Sequence, residues 1–500
     1  MNVGGEGARA DGRSTVGGAW PMKSDAHRFG RNFGSTALSQ LIAQVLTLAA
    51  SVVLFRKLGV AGYGMYVFGF AFPSWFLLLM TLGLDEAIAT QVAADRSKAS
   101  RYLTLVSLFR VFLAVVAFVG LWGATQLVLD DPFARTVTLI LGASTVVTSY
   151  AGTFTAIFRA FERLEYAALV TVVERSITIG VVLLALWFGY GLLEVSLVFL
   201  GGSFIALALS IIVARRRFVW FTRNVDFREL RQILRIAMPF GLFNAVGTFT
   251  YTAGVVLLTL LQSEESTGLF NAAFTLLLAM FSFLSIVSLA ALPMMSRMGS
   301  ESREKLSSAL HRIQRLSFVF GVPLAFGGWF YADAILTTFY GAAVEASANI
   351  FRVLVLSFAV ETAAMGIGPA LAATGHAVQK LYIGTAGAAV TIALCIVLIP
   401  SLGPMGVAYA FLVSRILTAS LGGLAVRHYV APLGAWDAMV KSTLSASLMF
   451  LVLFAIPGLS LWTGVLLGAG VYFGALWGIR GMSREDRLVV WNALRGALFR

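Results

Sequence analysis

The sequence is poor in charged side chains and in the side chains that hold metals or form disulfides. Its 500 residues include one cysteine, Cys395, and four histidines, and only 12% of them are charged. A single cysteine excludes a disulfide within the chain and a metal site built from several thiolates. His27, His311, His376 and His428 lie far apart in the sequence. We therefore expect no catalytic metal cluster and no cofactor.

Apolar residues are what the chain has in abundance. They make up 59% of the sequence, and the mean hydropathy is +0.86. A soluble core of this length could not bury that much apolar surface, so we predict an all-α polytopic membrane protein. A bilayer core needs about 20 apolar residues per helix. About fourteen segments qualify, at 34–55, 64–84, 104–126, 136–158, 168–190, 193–214, 236–261, 268–292, 316–332, 350–373, 380–400, 404–426, 439–457 and 461–480.

The positive charge of the chain is placed unevenly. The formal net charge is +13, and most of the 37 lysines and arginines lie in the two tails and in every second loop between the predicted spans. Cytoplasmic loops carry such an excess, so we predict that both termini are cytoplasmic. Nucleic acid is not needed to explain the charge. Residues 1–33 are polar and Gly-rich, without the apolar run of a cleavable signal peptide.

The two halves of the chain resemble each other weakly. Residues 31–97 recur without a gap at 235–301, about 204 residues later. Repeats of this kind are typical of alternating-access transporters. We predict a cytoplasmic tail (1–33), an N-terminal lobe of six helices (34–214), a basic amphipathic helix as linker (215–235), a C-terminal lobe of six helices (236–426), an added helix pair (439–480) and a second cytoplasmic tail (481–500).

A stripe of uncharged polar residues runs along the first predicted span. Its members, Thr36, Gln40, Gln44, Thr47 and Ser51, recur at helical spacing and share one face. Three of the equivalent positions in the second copy are polar as well, namely Asn244, Thr248 and Tyr251. Facing stripes predict a hydrophilic path between the lobes, with these residues binding substrate. The alternative is that they form hydrogen bonds between packed helices.

A few charges fall inside the predicted spans, where each costs about 2.5–3.5 kcal/mol at a helix centre. Arg415 and Glu361 lie near the middle of their spans. They form either a structural ion pair or an anion site in which Glu361 orients Arg415. Arg175 follows Glu174, and adjacent helical residues point about 100° apart, so we expect no pair between them. We expect Arg110 and Arg352 to reach the headgroups, and Asp85 and Glu86 to be a solvated helix end.

Several segments together resemble one family of membrane proteins. They are residues 55–66, 82–85, 92–96, 158–160, 191–193 and 403–408. The chain resembles, from about residue 28 to 480, the polysaccharide flippases of the multidrug/oligosaccharidyl-lipid/polysaccharide exporter superfamily. The resemblance implies two six-helix lobes around a vestibule, in the bacterial inner membrane, with no enzymatic activity.

The same resemblance implies a cargo and its partners. The cargo would be an oligosaccharide linked to undecaprenyl diphosphate, carried from the cytoplasmic to the outer leaflet for surface polysaccharide (exopolysaccharide, capsule or O-antigen, the last part of lipopolysaccharide) synthesis. Arg175 and Arg415 would serve a cationic cavity, and the two terminal helices would form a groove for the lipid tail. Partners would be the lipid-linked oligosaccharide, membrane lipids, and polysaccharide polymerase and export proteins.

Other readings of the sequence remain open at this stage. A cation-coupled drug antiporter of the same superfamily would share the fold, and it would need intramembrane carboxylates such as Glu174 and Glu361. A flippase for the peptidoglycan precursor would move a similar cargo. A membrane glycosyltransferase or polymerase would need sizeable external loops, and no loop on the outer face exceeds about 17 residues.

Overall fold

The computed structural model describes residues 23–481 except 225 and 431–433, and it describes no side chains at 23–41 and 283–301. This part of the chain is helical and contains no strand, which confirms the predicted fold class. The helices are α1 (Lys23–Thr81), α2 (Leu84–Ala94), α3 (Ala99–Val128), α4 (Pro132–Ala160), α5 (Leu164–Trp187), α6 (Leu192–Arg217), α7 (Arg228–Leu261), α8 (Glu264–Glu301), α9 (Arg303–Phe330), α10 (Ala332–Tyr340), α11 (Glu345–Ala364), α12 (Ile367–Ala373), α13 (Ala377–Leu402), α14 (Pro404–Tyr429), α15 (Trp436–Ala455) and α16 (Leu461–Gly478).

Each of the predicted spans falls on these helices. Within the described residues, eleven helical segments are long and apolar enough to cross a membrane, and a twelfth is formed if α9 and α10, which meet at 76°, count as one. One segment, Ile42–Ala94, has 53 residues, enough to cross a bilayer core twice. It breaks at Gly59, whose φ of 74° and ψ of 178° are not helical. Glycine reaches this conformation without a steric penalty, so the chain turns there.

Two close backbone contacts join the N-terminal and C-terminal halves. At the first, the Gly64 seam, a Cβ on Gly64 would overlap the Glu264 carbonyl oxygen, and a Cβ on Gly268 would overlap that of Val60. The residues correspond under the 204-residue repeat, so the contact is symmetric. At the second, the Gly83 seam, Gly83 packs in the same way on the backbone of Ala237. Both seams depend on glycine because no side chain fits between the backbones.

The segment 215–235 differs from the predicted linker helix. It consists of the end of α6, a non-helical stretch, and the first two turns of the long α7. The stretch folds back onto α3 and α4, where the Phe218 ring stacks on Phe158 at 5.0 Å and the Thr222 amide donates to Thr104 Oγ1. The packing of Phe218 and this hydrogen bond draw the backbone out of helical geometry. The division into two lobes on either side of it stays a prediction.

Arg110 and Asp85 form a buried ion pair, so the expectations for both were wrong. Arg110 is fully buried, and its Nη2 lies 2.8 Å from Asp85 Oδ1. Its Nη1 donates to the Ser149 carbonyl and to Thr153 Oγ1. Gly152 makes room for the pair, since a Cβ there would lie 3.0 Å from Asp85 Oδ2. The turn at Leu82 and Gly83, both at positive φ, starts α2 and aims Asp85 at the interface of α3 and α4.

Candidate functional site

A polar cavity of about 200 Å³ lies between the halves of the protein, next to the Gly64 seam. Four helices line it: α1, α5 and α6 from the first half and α8 from the second. Its polar lining consists of Thr47, Ser51, Tyr63, Tyr66, Arg175, Asn271 and Thr275, and its apolar lining includes Val67, Phe70, Ile179 and Phe199. We call this space the polar cavity. Two of the predicted site residues, Thr47 and Arg175, therefore meet in one place.

Hydrogen bonds cross the polar cavity from α1 to α8. Asn271 Nδ2 donates to the Tyr63 hydroxyl at 3.0 Å and to Thr275 Oγ1 at 3.2 Å. The Tyr63 hydroxyl lies 3.3 Å from Thr275 Oγ1. We call Tyr63, Asn271 and Thr275 the inter-lobe network. Its three side chains are almost completely buried, so each needs a partner, and here each finds one on the other helix or on its own.

Aromatic rings form one wall of the polar cavity. The Tyr66 ring stacks on Tyr63 with 6.1 Å between centroids and meets Phe70 and Phe199 at 5.2 and 5.5 Å. Phe199 also packs edge-on against Phe70. Such edge-to-face and stacked contacts fix ring orientation. The wall is therefore a preformed apolar surface beside the hydroxyl and amide groups of the inter-lobe network.

Arg175 does contact Glu174, and the expectation that adjacent residues would not pair was wrong. Arg175 Nε lies 3.7 Å from Glu174 Oε2, while Glu174 Oε1 accepts a hydrogen bond from Thr178. Both side chains have several rotatable bonds, and they curl around the helix far enough to meet. Arg175 is still 42% exposed. It brings one partly compensated positive charge to the polar cavity.

A second cluster joins three other predicted residues, Arg415, Glu361 and Tyr251. Arg415 Nη1 donates to Glu361 Oε2 at 3.3 Å, and its guanidinium lies over the Tyr251 ring at 5.3 Å. Arg415 Nε and Nη2 are buried, and no acceptor meets them in the described part of the chain. The Glu361 side chain is 37% exposed. A purely structural ion pair and an anion site in which Glu361 orients Arg415 would both contain this contact. Whether Arg415 binds an anion therefore stays a prediction.

The remaining predicted site residues lie elsewhere. The Gln40 side chain is outside the described residues. Gln44 is half-buried, one turn of α1 before Thr47. Asn244 and Thr248 are half-buried on α7 and do not line the polar cavity. Beside them, the indole of Trp75 donates to Thr252 Oγ1, so this face of α7 packs partly on α1.

The added helices α15 and α16 border a large apolar groove of about 560 Å³. Its other walls come from α8, α9, α10 and α11. Gly464 lets α16 approach α9, because a Cβ there would overlap the Tyr331 hydroxyl. The Tyr472 hydroxyl donates to the Val319 carbonyl and fastens α16 to α9. The groove is lined almost entirely by carbon, which suits an alkyl chain rather than a sugar.

Sequence reasoning missed Tyr63, Asn271 and Thr275. Tyr63 belongs to the segment 55–66 that carries the family resemblance, but nothing in that segment says where its hydroxyl points. Asn271 and Thr275 are one helical turn apart on α8, at positions where the first copy has Val67 and Ala71. The repeat therefore gave no signal for them. The spacing of two polar residues in an apolar span was the available clue.

Thiol labelling can show whether the polar cavity contains water. In a chain carrying Cys395→Ala, we expect Thr47→Cys to react with a water-soluble maleimide, because Thr47 lines the cavity and is exposed. The matched control is Thr138→Cys, at a fully buried position, which should stay unreactive. If Thr47→Cys is as unreactive as Thr138→Cys, both with and without cargo, the cavity is not hydrated. Thr248→Cys tests in the same way whether the stripe on α7 faces water.

In the part of the chain that the structure describes, no group of three or more His, Cys, Asp or Glu side chains could hold a metal. The polar cavity is lined by hydroxyl, amide, aromatic and arginine side chains, and the groove by apolar ones. The cavity can form hydrogen bonds with a polar group, and the groove can hold an apolar chain.

Known proteins with the same fold are membrane transporters. The chain superimposes on a lipid II flippase, MurJ, in an inward closed conformation with a TM-score of 0.74 and 16% identity, over 88% of this chain and 97% of that one. An inward-facing multidrug resistance MATE family transporter of the MOP superfamily gives a TM-score of 0.67 and 16% identity, over 79% and 98%. A MOP superfamily transporter from Pyrococcus furiosus gives 0.58 and 15%, over 80% and 95%.

Sequence comparison adds a family to this fold. An uncharacterized membrane protein of Methanocaldococcus jannaschii is 24% identical over 368 residues, which are 70% of this chain and 86% of that protein. Residues 29–299 match the sequence model of the family described as Polysaccharide biosynthesis protein, which is more than half of the chain. The chain therefore belongs to the polysaccharide biosynthesis protein family and has the transporter fold of the MOP superfamily, as the resemblance predicted.

Proposed function

We propose that the protein is an alternating-access flippase that moves an oligosaccharide linked to undecaprenyl diphosphate from the cytoplasmic to the outer leaflet. It would act in the bacterial inner membrane, with both termini in the cytoplasm, and supply repeat units for surface polysaccharide synthesis. The family description and the distribution of lysine and arginine support this proposal. Polysaccharide polymerase and export proteins are the proposed partners.

One observation carries the proposal: the protein has two kinds of binding space, and α8 contributes to the lining of both. The polar cavity offers hydroxyl, amide and guanidinium groups, whereas the groove beside α15 and α16 is apolar. A lipid-linked oligosaccharide has the same two parts, a polar head and a long hydrocarbon tail. A soluble drug would use a cavity but would have no need of a separate apolar groove.

The two seams support a motion between two lobes. Both seams are contacts of backbone on backbone at glycine, so they can separate without pulling a large side chain from a pocket. In this conformation the Gly64 and Gly83 seams are both formed between the described residues. We propose that residues 34–214 and 236–426 move as the two lobes, and that the seams separate in turn as the cavity changes sides.

The carboxylates of the spans do not favour the drug antiporter. Such a pump needs intramembrane carboxylates that bind a cation or a proton, and the candidates were Glu174 and Glu361. Each of them lies within 4 Å of an arginine, Arg175 and Arg415 respectively. A carboxylate held by an arginine is less available to a coupling cation, because it would have to exchange one positive partner for another.

Removal of the gene is the most direct test. We expect a strain without this protein to lose surface polysaccharide and to accumulate the lipid-linked repeat unit inside the cell, because the cargo is still made but not moved. The accumulated lipid is identified by mass spectrometry, and the wild-type gene should reverse both effects. Accumulation of the peptidoglycan precursor instead would identify the second candidate, a flippase like the lipid II flippase whose fold the chain shares. Normal polysaccharide without accumulation of either lipid would refute both.

Arg415 is the proposed contact for the diphosphate. We expect Arg415→Gln to lower export about tenfold, because hydrogen bonds to a charged group contribute about 1.5–3 kcal/mol and the substitution removes the charge. The control is Arg352→Gln, which breaks another arginine–carboxylate pair, that with Asp333, and should leave export near normal. Export is measured as surface polysaccharide at matched protein level. If Arg415→Gln exports normally, the pair with Glu361 is only structural.

A further inference from the structure

The polar cavity contains the chemistry that recognises a neutral sugar. Its hydroxyl and amide groups, on Tyr63, Asn271, Thr275 and Ser51, both donate and accept hydrogen bonds, as sugar hydroxyls do. The rings of Tyr66, Phe70 and Phe199 meet edge-on or tilted and form an adjoining apolar wall, and the C–H groups of a sugar ring can pack on such a wall. Polar groups placed against an apolar surface are typical of small-molecule sites.

The charge of the polar cavity argues against the diphosphate as its occupant. Its volume of about 200 Å³ has room for one sugar ring or for a diphosphate, so the volume does not decide between them. Among the described residues of its lining Arg175 is the one cation, and its Nε lies 3.7 Å from the Glu174 carboxylate. A dianionic group would therefore meet only one positive charge there, and that charge is partly compensated. The binding of a neutral sugar ring does not depend on this charge, so the nearby Glu174 carboxylate does not weaken it.

The inter-lobe network also holds the protein closed. Its hydrogen bonds join α1 to α8 directly beside the Gly64 seam. Separating the helices breaks these bonds, and each buried group that water does not reach is then left without a partner, at about 1–3 kcal/mol. A sugar hydroxyl that takes over one of these bonds removes that cost, because the exchange of one hydrogen bond for another is nearly neutral.

We propose that the inter-lobe network of Tyr63, Asn271 and Thr275 is the binding site for a sugar ring of the cargo, and that sugar hydroxyls replace the bonds between α1 and α8 and thereby release the Gly64 seam. The inference rests on the proposed function, since it requires a cargo with a sugar head. It assigns the sugar to the polar cavity and leaves the diphosphate outside it. The ligand acts by binding the separated state better than the closed one.

Two lipids distinguish the sugar from the diphosphate as the occupant. The full chain with Cys395→Ala and Thr47→Cys is reconstituted in nanodiscs and labelled with a maleimide. The probes are the lipid-linked repeat unit extracted from the deletion strain and undecaprenyl diphosphate without sugar. Because a sugar bound in the cavity covers Thr47, we expect the repeat unit to slow labelling at least about threefold, whereas separation of the seam with the cavity empty would accelerate it. Undecaprenyl diphosphate should leave the rate unchanged. Equal slowing by both, or no slowing by the repeat unit in a chain that still exports, would overturn the inference.

Two tyrosines separate a sugar-binding role from a role in closure alone. The Tyr63 and Tyr340 hydroxyls both bond across the halves, Tyr340 to Ser51 at 3.2 Å, but only Tyr63 lines the polar cavity. We expect Tyr63→Phe to lower export about threefold to tenfold, the loss of about one hydrogen bond, and Tyr340→Phe to change it little. Equal effects of the two substitutions, or none from Tyr63→Phe, would refute the sugar site. The proposed function would survive that result, because the deletion strain tests it separately.

Discussion

Replacing Gly64 with leucine is expected to abolish export while leaving the protein in the membrane. Even a Cβ at this position would overlap the carbonyl oxygen of Glu264, and that atom belongs to the backbone of α8, so it cannot move aside as a side chain would. Overpacking at such a point costs about 1–3 kcal/mol or more. The backbones of α1 and α8 could then not close at the Gly64 seam. An alternating-access transporter that cannot close at one side cannot complete its transport cycle.

Two measurements identify the cause of that loss. The first is labelling of Thr47→Cys with an impermeant maleimide added from the side of the Gly64 seam, which should accelerate in the Gly64→Leu chain. The second is a control, Gly201→Leu, at a glycine with open space around its Cβ. This variant should export normally. If Gly64→Leu also exports normally, the seam does not need to close during transport.

Replacing Asp85 with alanine is expected to destabilise the protein by about 3–5 kcal/mol, because it leaves the Arg110 charge buried without its counter-ion. Arg110 has no exposed surface and lies 2.8 Å from Asp85. Arg110→Met should cost a similar amount by leaving Asp85 unpaired. The double variant Asp85→Leu with Arg110→Met should recover most of the loss, since an apolar pair of similar size needs no desolvation of charge.

Thermal unfolding of the purified protein in detergent, followed by the loss of the monodisperse species, measures these differences. The matched control is Glu229→Gln, which breaks the 3.0 Å ion pair with Arg101. Both of those side chains are partly exposed, so the expected cost is below about 1 kcal/mol. A loss for Asp85→Ala no greater than that of the control would show that the buried pair contributes little to stability.

Hydropathy predicted the helices because it is a property of local sequence. Apolar runs of about 20 residues have to be helical in a bilayer, where each backbone polar group needs an internal partner. The internal repeat relates individual contacts as well as helices. The contact of Gly64 with Glu264 and of Gly268 with Val60 follows the 204-residue offset residue by residue. The segment 215–235 was less predictable, because Phe218 leaves the helix for aromatic partners that are distant in the sequence.

Charged side chains were predicted least well. Their positions in the sequence suggested that Arg110 would reach the headgroups and that Asp85 would be solvated, whereas the two form a pair inside the protein. Helical spacing also suggested that Arg175 and Glu174 would stay apart. Long side chains reach several ångströms from the backbone, so their partners depend on which helices lie beside them. The pairing of Arg415 with Glu361 was foreseen as one of two alternatives, because both lay in the middle of apolar spans.

The sequence by itself determined that this protein crosses a membrane many times, that its halves repeat, and that it belongs among the polysaccharide biosynthesis proteins. These properties follow from composition, period and local motifs. Only the tertiary structure decided that Thr47 and Arg175 share a cavity with Tyr63, Asn271 and Thr275, and that Asn244 and Thr248 lie outside it. The reason is physical: a cavity exists only where helices distant in the sequence pack, and two of its polar residues, on α8, have apolar counterparts in the first copy.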